Sequence, residues 1–337
     1  MFSEILIKLI NQENLSLKET ENVFNALMSG ELTPVQISAF LTALASKGET
    51  IEEIAGAAKT MRSKSNQIKP KDSKLIDTCG TGGDKSGTFN ISTTVGFVLA
   101  GGGLFVAKHG NRSVTSKAGS SDVLEALGIK IDLEPQQVEK CIDTIGIGFM
   151  FAPRFHPAMK YAMPIRQELK IKTIFNLLGP LTNPANAHFQ LLGVASPNLT
   201  EKFAGVLKEL GLKKALVVHG DGLDEITLTG LTRISELQKG EIRTYEIQPE
   251  DFGFAKCSLE ELKGGDAKEN AEILRQILQG ELKGAKREIV LLNAGAGFYA
   301  GNVVDSIFEG VKMAEEVIDS GKALGKLEEM VALTNRL

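Results

Sequence analysis

The sequence predicts an α/β protein: a large domain with a mostly parallel central sheet flanked by helices, plus a small all-helical domain. The chain of 337 residues is long enough for two domains, and its hydrophobic content of 42% is that of an ordinary globular protein. Up to residue 65 the apolar residues recur at helical spacing, without alternation. After residue 70 short apolar runs alternate with helical segments, which is the pattern of a parallel sheet connected by helices.

The first 70 residues are predicted to form several short packed helices. Thr33 followed by Pro34 is typical of an N-cap and a first helical residue, and it predicts a helix that runs through Leu44. Residues 69–72, Lys-Pro-Lys-Asp, form the most linker-like stretch of the chain. We therefore expect the small helical domain to cover residues 1–70.

The large domain is predicted from four apolar strands and the helices between them. The candidate strands are Leu75 to Asp77, Phe105 to Lys108, Leu191 to Val194 and Ala215 to His219. Residues 157–179 are helical again, so the chain is expected to return to the helical domain through helices of about residues 162–184. The large α/β domain then comprises residues 71–161 and 185–337.

Composition excludes several classes of protein. A net charge of −4 and a pI near 5.8 give no general attraction to nucleic acid or to an acidic membrane surface. No stretch approaches the ~20 apolar residues of a spanning helix, and the N-terminus lacks the basic segment and cleavage site of a signal peptide. Cys79, Cys141 and Cys257 are odd in number and widely spaced, which favours a reducing cytoplasm over a disulfide framework.

A glycine-rich segment, residues 77–94, predicts a phosphate site between a strand and a helix. It reads Asp-Thr-Cys-Gly-Thr-Gly-Gly-Asp-Lys-Ser-Gly-Thr-Phe-Asn-Ile-Ser-Thr-Thr. Its glycines let main-chain N–H groups crowd around an anion, and the following helix points its positive end there. Asp84 would repel a bare phosphate unless a metal ion or a sugar hydroxyl lay between them.

The same segment does not match the better-known phosphate motifs. A Walker A loop needs glycine directly before Lys85, where this chain has Asp84. The third glycine of the dinucleotide pattern would fall on Lys85. The simpler interpretation is a flexible surface turn, but the strand before it and the helix after it favour a binding site.

A basic segment, residues 108–122, follows the second predicted strand. Lys108, Arg112 and Lys117 with several serines and threonines suit more than one phosphate oxygen. A solvated basic loop is the usual alternative for such a run of charge. Because ligands gather at strand ends in open α/β sheets, two polar loops on successive strands indicate one shared ligand.

An acidic turn follows the fourth predicted strand. Asp224 and Glu225 offer hard oxygen ligands, which Mg²⁺ accepts when a phosphate supplies the rest of its shell. The alternative is an ordinary acidic β-turn. A metal bridge would account for these carboxylates and also for Asp84.

In an apolar helical stretch, residues 154–166, Arg166 lies among aromatic and apolar side chains. Burying a guanidinium without a partner is costly, so Arg166 is predicted to pair two-fold with a carboxylate. His156 lies in the same stretch, where a single histidine is more often structural than catalytic.

Four segments together resemble the anthranilate phosphoribosyltransferases of tryptophan biosynthesis, in that family's order and spacing. They are residues 77–94, 108–128, 151–184 and 219–225, and the similarity extends over essentially the whole chain. The resemblance implies the nucleoside phosphorylase/phosphoribosyltransferase type of fold. It implies transfer of the 5-phosphoribosyl group from phosphoribosyl pyrophosphate to the amine of anthranilate, with release of pyrophosphate. It also implies Mg²⁺ as cofactor and a homodimer formed through the helical domain.

The resemblance also implies the site residues. For phosphoribosyl pyrophosphate they are Gly80, Thr81, Gly82, Gly83, Asp84, Thr88, Asn90, Ser92, Thr93, Lys108 and Ser120. For anthranilate they are Gly80, His109, Asn111, His156, Tyr161, Arg166 and Gly179. For Mg²⁺ they are Ser92, Asp224 and Glu225. No residue is assigned as acid or base, because the aromatic amine is already unprotonated at neutral pH.

The chain departs from the family pattern at a few positions. Lys170 and Lys172 stand where the family usually has glycine and arginine, and Thr115 replaces a usual serine. The two lysines lie beside the helical hinge, so we expect them to affect domain packing or dynamics more than activity.

Two other functions are compatible with the fold type. A pyrimidine nucleoside phosphorylase would cleave nucleosides with phosphate, and residues 108–112 and 176–181 argue against it. A non-catalytic nucleic-acid-binding relative would lose the substrate motifs and gain positive surface, whereas this chain keeps the motifs and is net acidic.

Overall fold

The computed structural model describes residues 2–71, 74–83, 86–112 and 117–337. Its N-terminal helices are α1 (Phe2–Ile10), α2 (Leu17–Met28), α3 (Pro34–Lys47) and α4 (Ile51–Ser63). Ser16, Thr33 and Thr50 each begin a helix with a capping box, in which side chain and main chain satisfy each other's N–H groups. The predicted start of a helix at Thr33 and Pro34 is confirmed, and the helix runs three residues beyond Leu44.

A seven-stranded sheet forms the centre of the large domain, in the order β3-β2-β1-β4-β5-β6-β7. The strands are β1 (Leu75–Gly80), β2 (Phe105–Gly110), β3 (Ile147–Phe151), β4 (Phe189–Gly193), β5 (Lys214–Gly220), β6 (Thr232–Gln238) and β7 (Glu241–Ile247). Strands β1 to β5 pair in parallel, and β6 and β7 are antiparallel at one edge. The predicted fold class, a mostly parallel sheet with a helical domain, is confirmed.

Three of these strands are not among those predicted from the sequence. Strand β3 contains Gly148 and is short, so its apolar run resembles the end of the preceding helix. Strands β6 and β7 form a hairpin whose turn, Lys239 and Gly240, has positive φ at both residues. Their alternating pattern is visible in the sequence, although no strand is predicted there above.

The helices of the large domain flank the sheet on both faces. They are α5 (Ile91–Gly101), α6 (Ser120–Ala126), α7 (Pro135–Ile145), α8 (Ala152–Phe155), α11 (Leu199–Glu209), α12 (Leu259–Leu262), α13 (Ala267–Leu278), α14 (Ala285–Ala300), α15 (Ile307–Asp319) and α16 (Lys322–Thr334). Helix α5 packs against α14 and α16 on one face, and α11 lies between the other face and α4. None of the helices in the described part of the chain is long and apolar enough to cross a membrane.

Residues 157–179, which are predicted to be helical, form short helices that pack with the N-terminal helices, whereas residues 170–174 between two of them are not helical. The short helices are α9 (Met163–Leu169), α10 (Phe175–Leu178) and 3-10 turns at Pro157–Tyr161 and Gly179–Leu181. The rings of Phe175 and Phe24 lie 5.7 Å apart in one hydrophobic cluster. The residue limits of the two domains stay a prediction.

Strand β1 lies between β2 and β4 and sends alternate side chains to opposite faces of the sheet. Thr78 faces α5, where its hydroxyl donates to the Ser92 carbonyl at 3.1 Å. Asp77 faces the other side, where it accepts a hydrogen bond from Asn183 at 2.8 Å. Strand β1 therefore contributes one side chain to the face covered by α5 and a neighbouring one to the face that contacts Asn183.

Candidate active site

The glycine-rich segment begins at the carboxyl end of β1 and lies directly against the turn after β5. The Gly82 N–H donates to Asp224 Oδ2 at 2.9 Å. A Cβ on Gly80 would collide with Asp224 Oδ2, and a Cβ on Gly193 would collide with the Asp224 main chain. Glycine is therefore required at both positions for the acidic turn to approach the segment.

Two further positions of the segment have a backbone conformation that favours glycine. Gly82 and Gly83 have φ of 65° and 83°, and the Thr81 N–H donates to the Gly193 carbonyl at 2.9 Å. Asp84, which suggested a metal or sugar ligand, lies outside the described residues, as does Thr115.

Lys108 on β2 points toward the same side as the segment. It is only 4% exposed, and its Nζ donates to the Thr78 carbonyl and lies 3.4 Å from Ser92 Oγ. Burial lowers the pKa of Lys108, while the nearby carboxylates of Asp77 and Glu225 oppose that shift. The Lys108 side-chain nitrogen therefore lies at the first turn of α5, beside the Ser92 hydroxyl that is predicted to bind metal.

The predicted residues Asn90, Thr93 and Ser120 lie around this position. Asn90 precedes α5 as its N-cap, and Thr93 is buried in the first turn. Ser120 Oγ donates weakly to the Asn111 carbonyl at 3.4 Å, next to the end of β2. Thr88 forms an isolated antiparallel bridge with Lys263, the residue that follows α12.

Asn270 orients Asn90, although it is not among the residues predicted from the sequence. Its Nδ2 donates to Asn90 Oδ1 at 3.0 Å, and its Oδ1 accepts from the Gly265 N–H at 2.8 Å. Asn270 is 3% exposed on the apolar face of α13. An asparagine on the buried face of an amphipathic helix is the signal that could have revealed it.

Arg112, which is expected to contribute to a basic phosphate site, forms ion pairs within the protein. Its guanidinium pairs with Asp122 at 2.9 Å and with Glu125 at 2.6 Å. Both carboxylates come from α6, which begins at the end of the basic segment and supplies the opposite charge. Asp122 and Glu125 therefore balance the positive charge of Arg112 within the protein, and its role in binding phosphate stays a prediction.

The acidic turn fits a Mg²⁺ ion that is completed by substrate oxygens. Within the described ranges, no group of three or more His, Cys, Asp or Glu side chains could hold a metal alone. Asp224 and Glu225 are adjacent, and Asp224 lies against the glycine-rich segment. Mg²⁺ is commonly held by one or two carboxylates together with phosphates and water, so this donor set suits it.

Asp77 lies on the face of the sheet opposite to Lys108. No role is predicted for it from the sequence. Its carboxylate is fully buried and accepts from the His109 N–H at 3.3 Å and from Asn183 Nδ2 at 2.8 Å. Burial raises the pKa of Asp77, and the charge of Lys108 opposes this. These hydrogen bonds tie β1 to β2 and to the segment after α10.

Two histidine rings lie close together near the end of β2. The rings of His109 and His156 are 5.1 Å apart, and His109 Nδ1 lies 3.2 Å from the Gly179 carbonyl. A carbonyl only accepts, so Nδ1 carries the proton. Burial lowers the pKa of His109 to about 3 and that of His156 to about 4, so both rings are neutral.

The second ring nitrogen of each histidine is buried. Among the described residues, Nε2 of His109 and Nε2 of His156 have no hydrogen-bond partner. The proton of His109 is on Nδ1, so its Nε2 has a free lone pair. This site can accept a hydrogen bond from a ligand's N–H group.

Arg166 lies on α9 near the same region. Its guanidinium stacks over the Phe175 ring at 5.2 Å, and burial lowers its pKa. Within the described part of the chain it forms no ion pair with a carboxylate. The predicted pairing of Arg166 with a carboxylate stays a prediction. The contact with the Phe175 ring holds the planar guanidinium in place.

The residues predicted to bind anthranilate are not all in contact with one another in the structure. The Tyr161 ring packs against Gly30 and beneath the Lys160 ammonium. Asn111 is exposed, and its Oδ1 accepts from the Arg112 N–H. A Cβ on Gly179 would meet nothing within 4 Å, so open space adjoins that residue.

Two family models match the chain. Residues 3–65 match the helical bundle domain of a glycosyl transferase family, and residues 72–324 match its a/b domain. Anthranilate phosphoribosyltransferase of Acetivibrio thermocellus is 57% identical over 99% of this chain and 97% of its own length. That of Desulfatibacillum aliphaticivorans is 55% identical over 99% of both chains.

Solved structures give the same result. The crystal structure of anthranilate phosphoribosyltransferase from Thermus thermophilus aligns with a TM-score of 0.94 and 46% identity, over 98% of this chain and 99% of that one. The enzyme from Saccharomyces cerevisiae in complex with PRPP and Mg aligns with a TM-score of 0.92 and 29% identity, over 100% and 98%. The chain therefore belongs to the anthranilate phosphoribosyltransferase family of glycosyltransferases.

Proposed function

We propose that the chain transfers the 5-phosphoribosyl group of phosphoribosyl pyrophosphate to the amine of anthranilate, in tryptophan biosynthesis. One observation carries the proposal: Lys108 and His109, consecutive residues of β2, point to opposite sides. Lys108 lies beside Ser92 and the glycine-rich segment. His109 lies beside His156 and the open side of Gly179. An anionic substrate and an aromatic amine can therefore meet at the end of one strand.

Phosphoribosyl pyrophosphate would bind on the Lys108 side. The proposed contacts are Gly80, Thr81, Gly82, Gly83, Asp84, Thr88, Asn90, Ser92, Thr93, Lys108 and Ser120. Main-chain N–H groups and the N-terminus of α5 favour its negative charge. The Saccharomyces cerevisiae relative in complex with PRPP and Mg supports a Mg²⁺ ion as cofactor, and Asp224, Glu225 and Ser92 would hold it. When bound, the ion neutralises charge on the pyrophosphate.

Anthranilate would bind on the His109 side. The proposed contacts are Gly80, His109, Asn111, His156, Tyr161, Arg166 and Gly179. Its carboxylate would pair with the stacked guanidinium of Arg166, which is geometrically suited to two parallel hydrogen bonds. Its amine would donate to the lone pair of His109 Nε2.

The reaction is a displacement at the anomeric carbon of the ribose. The bond from this carbon to the pyrophosphate oxygen breaks, and a bond from it to the anthranilate nitrogen forms. Positive charge that develops on the ribose lies close to the pyrophosphate anion. The chain contributes alignment of the two substrates and stabilisation of the leaving group by Lys108 and main-chain N–H groups. The nitrogen then loses a proton, and no strong base is required for this.

A homodimer through the helical domain is part of the proposal. Ile7 and Ile10 on α1 and Val35 on α3 are 57%, 64% and 77% exposed. All three lie on the N-terminal helices, where contact with a second copy of the chain would bury them. The three thiols are free, which supports a cytoplasmic location. No nucleic-acid or membrane partner is proposed.

The central test follows anthranilate fluorescence after phosphoribosyl pyrophosphate and Mg²⁺ are added to the purified protein. We expect fluorescence to decrease as anthranilate is consumed, and no decrease without Mg²⁺. Pyrimidine nucleosides with phosphate should not be cleaved. Unchanged anthranilate in the complete mixture would contradict the proposal.

A further inference from the structure

Residues 179–183 are held at successive main-chain carbonyls by buried side chains from three different elements. His109 Nδ1 lies 3.2 Å from the first carbonyl, Gln190 Nε2 lies 2.7 Å from the second, and Arg62 Nε lies 2.7 Å from the third. The donors come from β2, β4 and α4 respectively. This short segment is therefore hydrogen-bonded to three separate elements of the fold.

The remaining two residues of the segment are also anchored. A hydrogen bond joins His156 to the main chain of Thr182. Asn183 Nδ2 donates to Asp77 Oδ2 and to the Ala107 carbonyl, both at 2.8 Å. Each residue of the segment thus has a hydrogen bond that limits its movement.

Gln190 differs from the two histidines because it has no proposed contact with substrate. It is 2% exposed and lies beside Asp77 in the register of β1 and β4. Its second contact is the weak acceptor Cys79 Sγ, at 3.2 Å. Burying an amide is costly unless it is hydrogen-bonded, so its bond to the Pro180 carbonyl is the main compensation.

We propose that Gln190 is a positioning residue for the anthranilate pocket. By holding the Pro180 carbonyl, it fixes Gly179 next to it and thereby the ring of His109. The amine acceptor, His109 Nε2, keeps its direction only while Nδ1 stays bonded to the Gly179 carbonyl. This inference rests on the proposed function, because it assigns the same pocket to anthranilate.

The first experiment replaces the amide by an apolar group of similar length. In Gln190→Met we expect the anthranilate KM to rise about five- to tenfold, the effect of one lost hydrogen bond, with the KM for phosphoribosyl pyrophosphate within about twofold. The matched control is Gln137→Met on α7, which removes a glutamine hydrogen bond of 2.6 Å to the Leu337 main chain. The control should leave both KM values unchanged.

A second variant keeps the inference testable if Gln190→Met does not fold. Gln190→Glu preserves shape, and a buried carboxyl donates to the Pro180 carbonyl only while protonated. Its anthranilate KM relative to that of the unmodified chain should therefore rise with pH. A constant ratio, or an equal rise in both KM values, would overturn the role of Gln190. If the unmodified chain does not consume anthranilate, the proposed function fails instead.

Discussion

The two sides of the candidate site are built in different ways, although β1 and β2 contribute to both. The phosphate side consists largely of main chain, where glycines bring the N–H of Gly82 to Asp224. On the anthranilate side, side chains from α4, β2 and β4 converge on residues 179–183, and Arg166 on α9 lies over the Phe175 ring. The phosphate side can be predicted from one continuous sequence motif. The anthranilate side cannot, because its side chains come from distant parts of the sequence and meet only when the chain folds.

The largest expected effect tests the phosphate side. Replacing Asp224 by Asn together with Glu225 by Gln should lower kcat/KM for phosphoribosyl pyrophosphate about 1000-fold, because bound metal stabilises the transition state by several kcal/mol. A Mg²⁺ titration of the rate should move to higher concentration. Asp221→Asn is the control, since Asp221 lies in the same turn but bonds to Thr229. An unchanged titration in the double variant would contradict the metal site.

The second prediction tests the anthranilate side. Arg166→Ala should raise the anthranilate KM about 100-fold and leave the KM for phosphoribosyl pyrophosphate within about twofold, because a charged bidentate contact is lost. Steady-state kinetics with each substrate varied would measure both. Arg154→Ala is the control, since Arg154 is already paired with Asp132 at 2.9 Å. Equal effects on the two substrates would show that the sides are not separate.

The third prediction concerns the neutral histidines. The pKa of His109 is lowered to about 3, mainly by burial, from an ordinary value of about 6.5. Between these values the unfolded chain binds a proton that the folded chain does not, so stability falls as pH drops below about 6.5. At pH 5 the loss is about 2 kcal/mol for this histidine.

Urea unfolding at neutral pH and at pH 5 would measure this loss. His109→Gln, which cannot titrate, should lose about 2 kcal/mol less than the unmodified chain on acidification. The same loss in both proteins would mean that His109 is not buried as a neutral ring.

The smallest expected effect lies at the hinge beside the anthranilate side. Lys170 ends α9 with φ of 51°, in the left-handed region that favours glycine. Lys170→Gly should therefore raise the free energy of unfolding by up to about 1 kcal/mol. Lys172→Arg, the other departure, should change it by less than about 0.5 kcal/mol. Thermal unfolding of both variants would check this, and a destabilised Lys170→Gly would contradict it.

The fold and the phosphate side are largely predictable from the sequence. Helix periodicity, the Thr33 cap and four of the strands are predicted correctly because these signals are local. The departure at Lys170 is visible in the sequence, but its consequence depends on the backbone conformation, which only the structure shows. That Arg112 binds phosphate stays a prediction, and its ion pairs with Asp122 and Glu125 on α6 are visible only in the structure.

The sequence by itself determined the α/β class, the glycine-rich segment and the acidic turn, because each depends on residues close together in the chain. Only the tertiary structure decided which side chains hold residues 179–183. Asp77 and Asn183 are 106 positions apart, and Arg62 and Leu181 are 119 apart. These groups meet because of the register of the parallel strands and because residues 157–181 pack with the N-terminal helices. A local sequence pattern cannot predict such contacts.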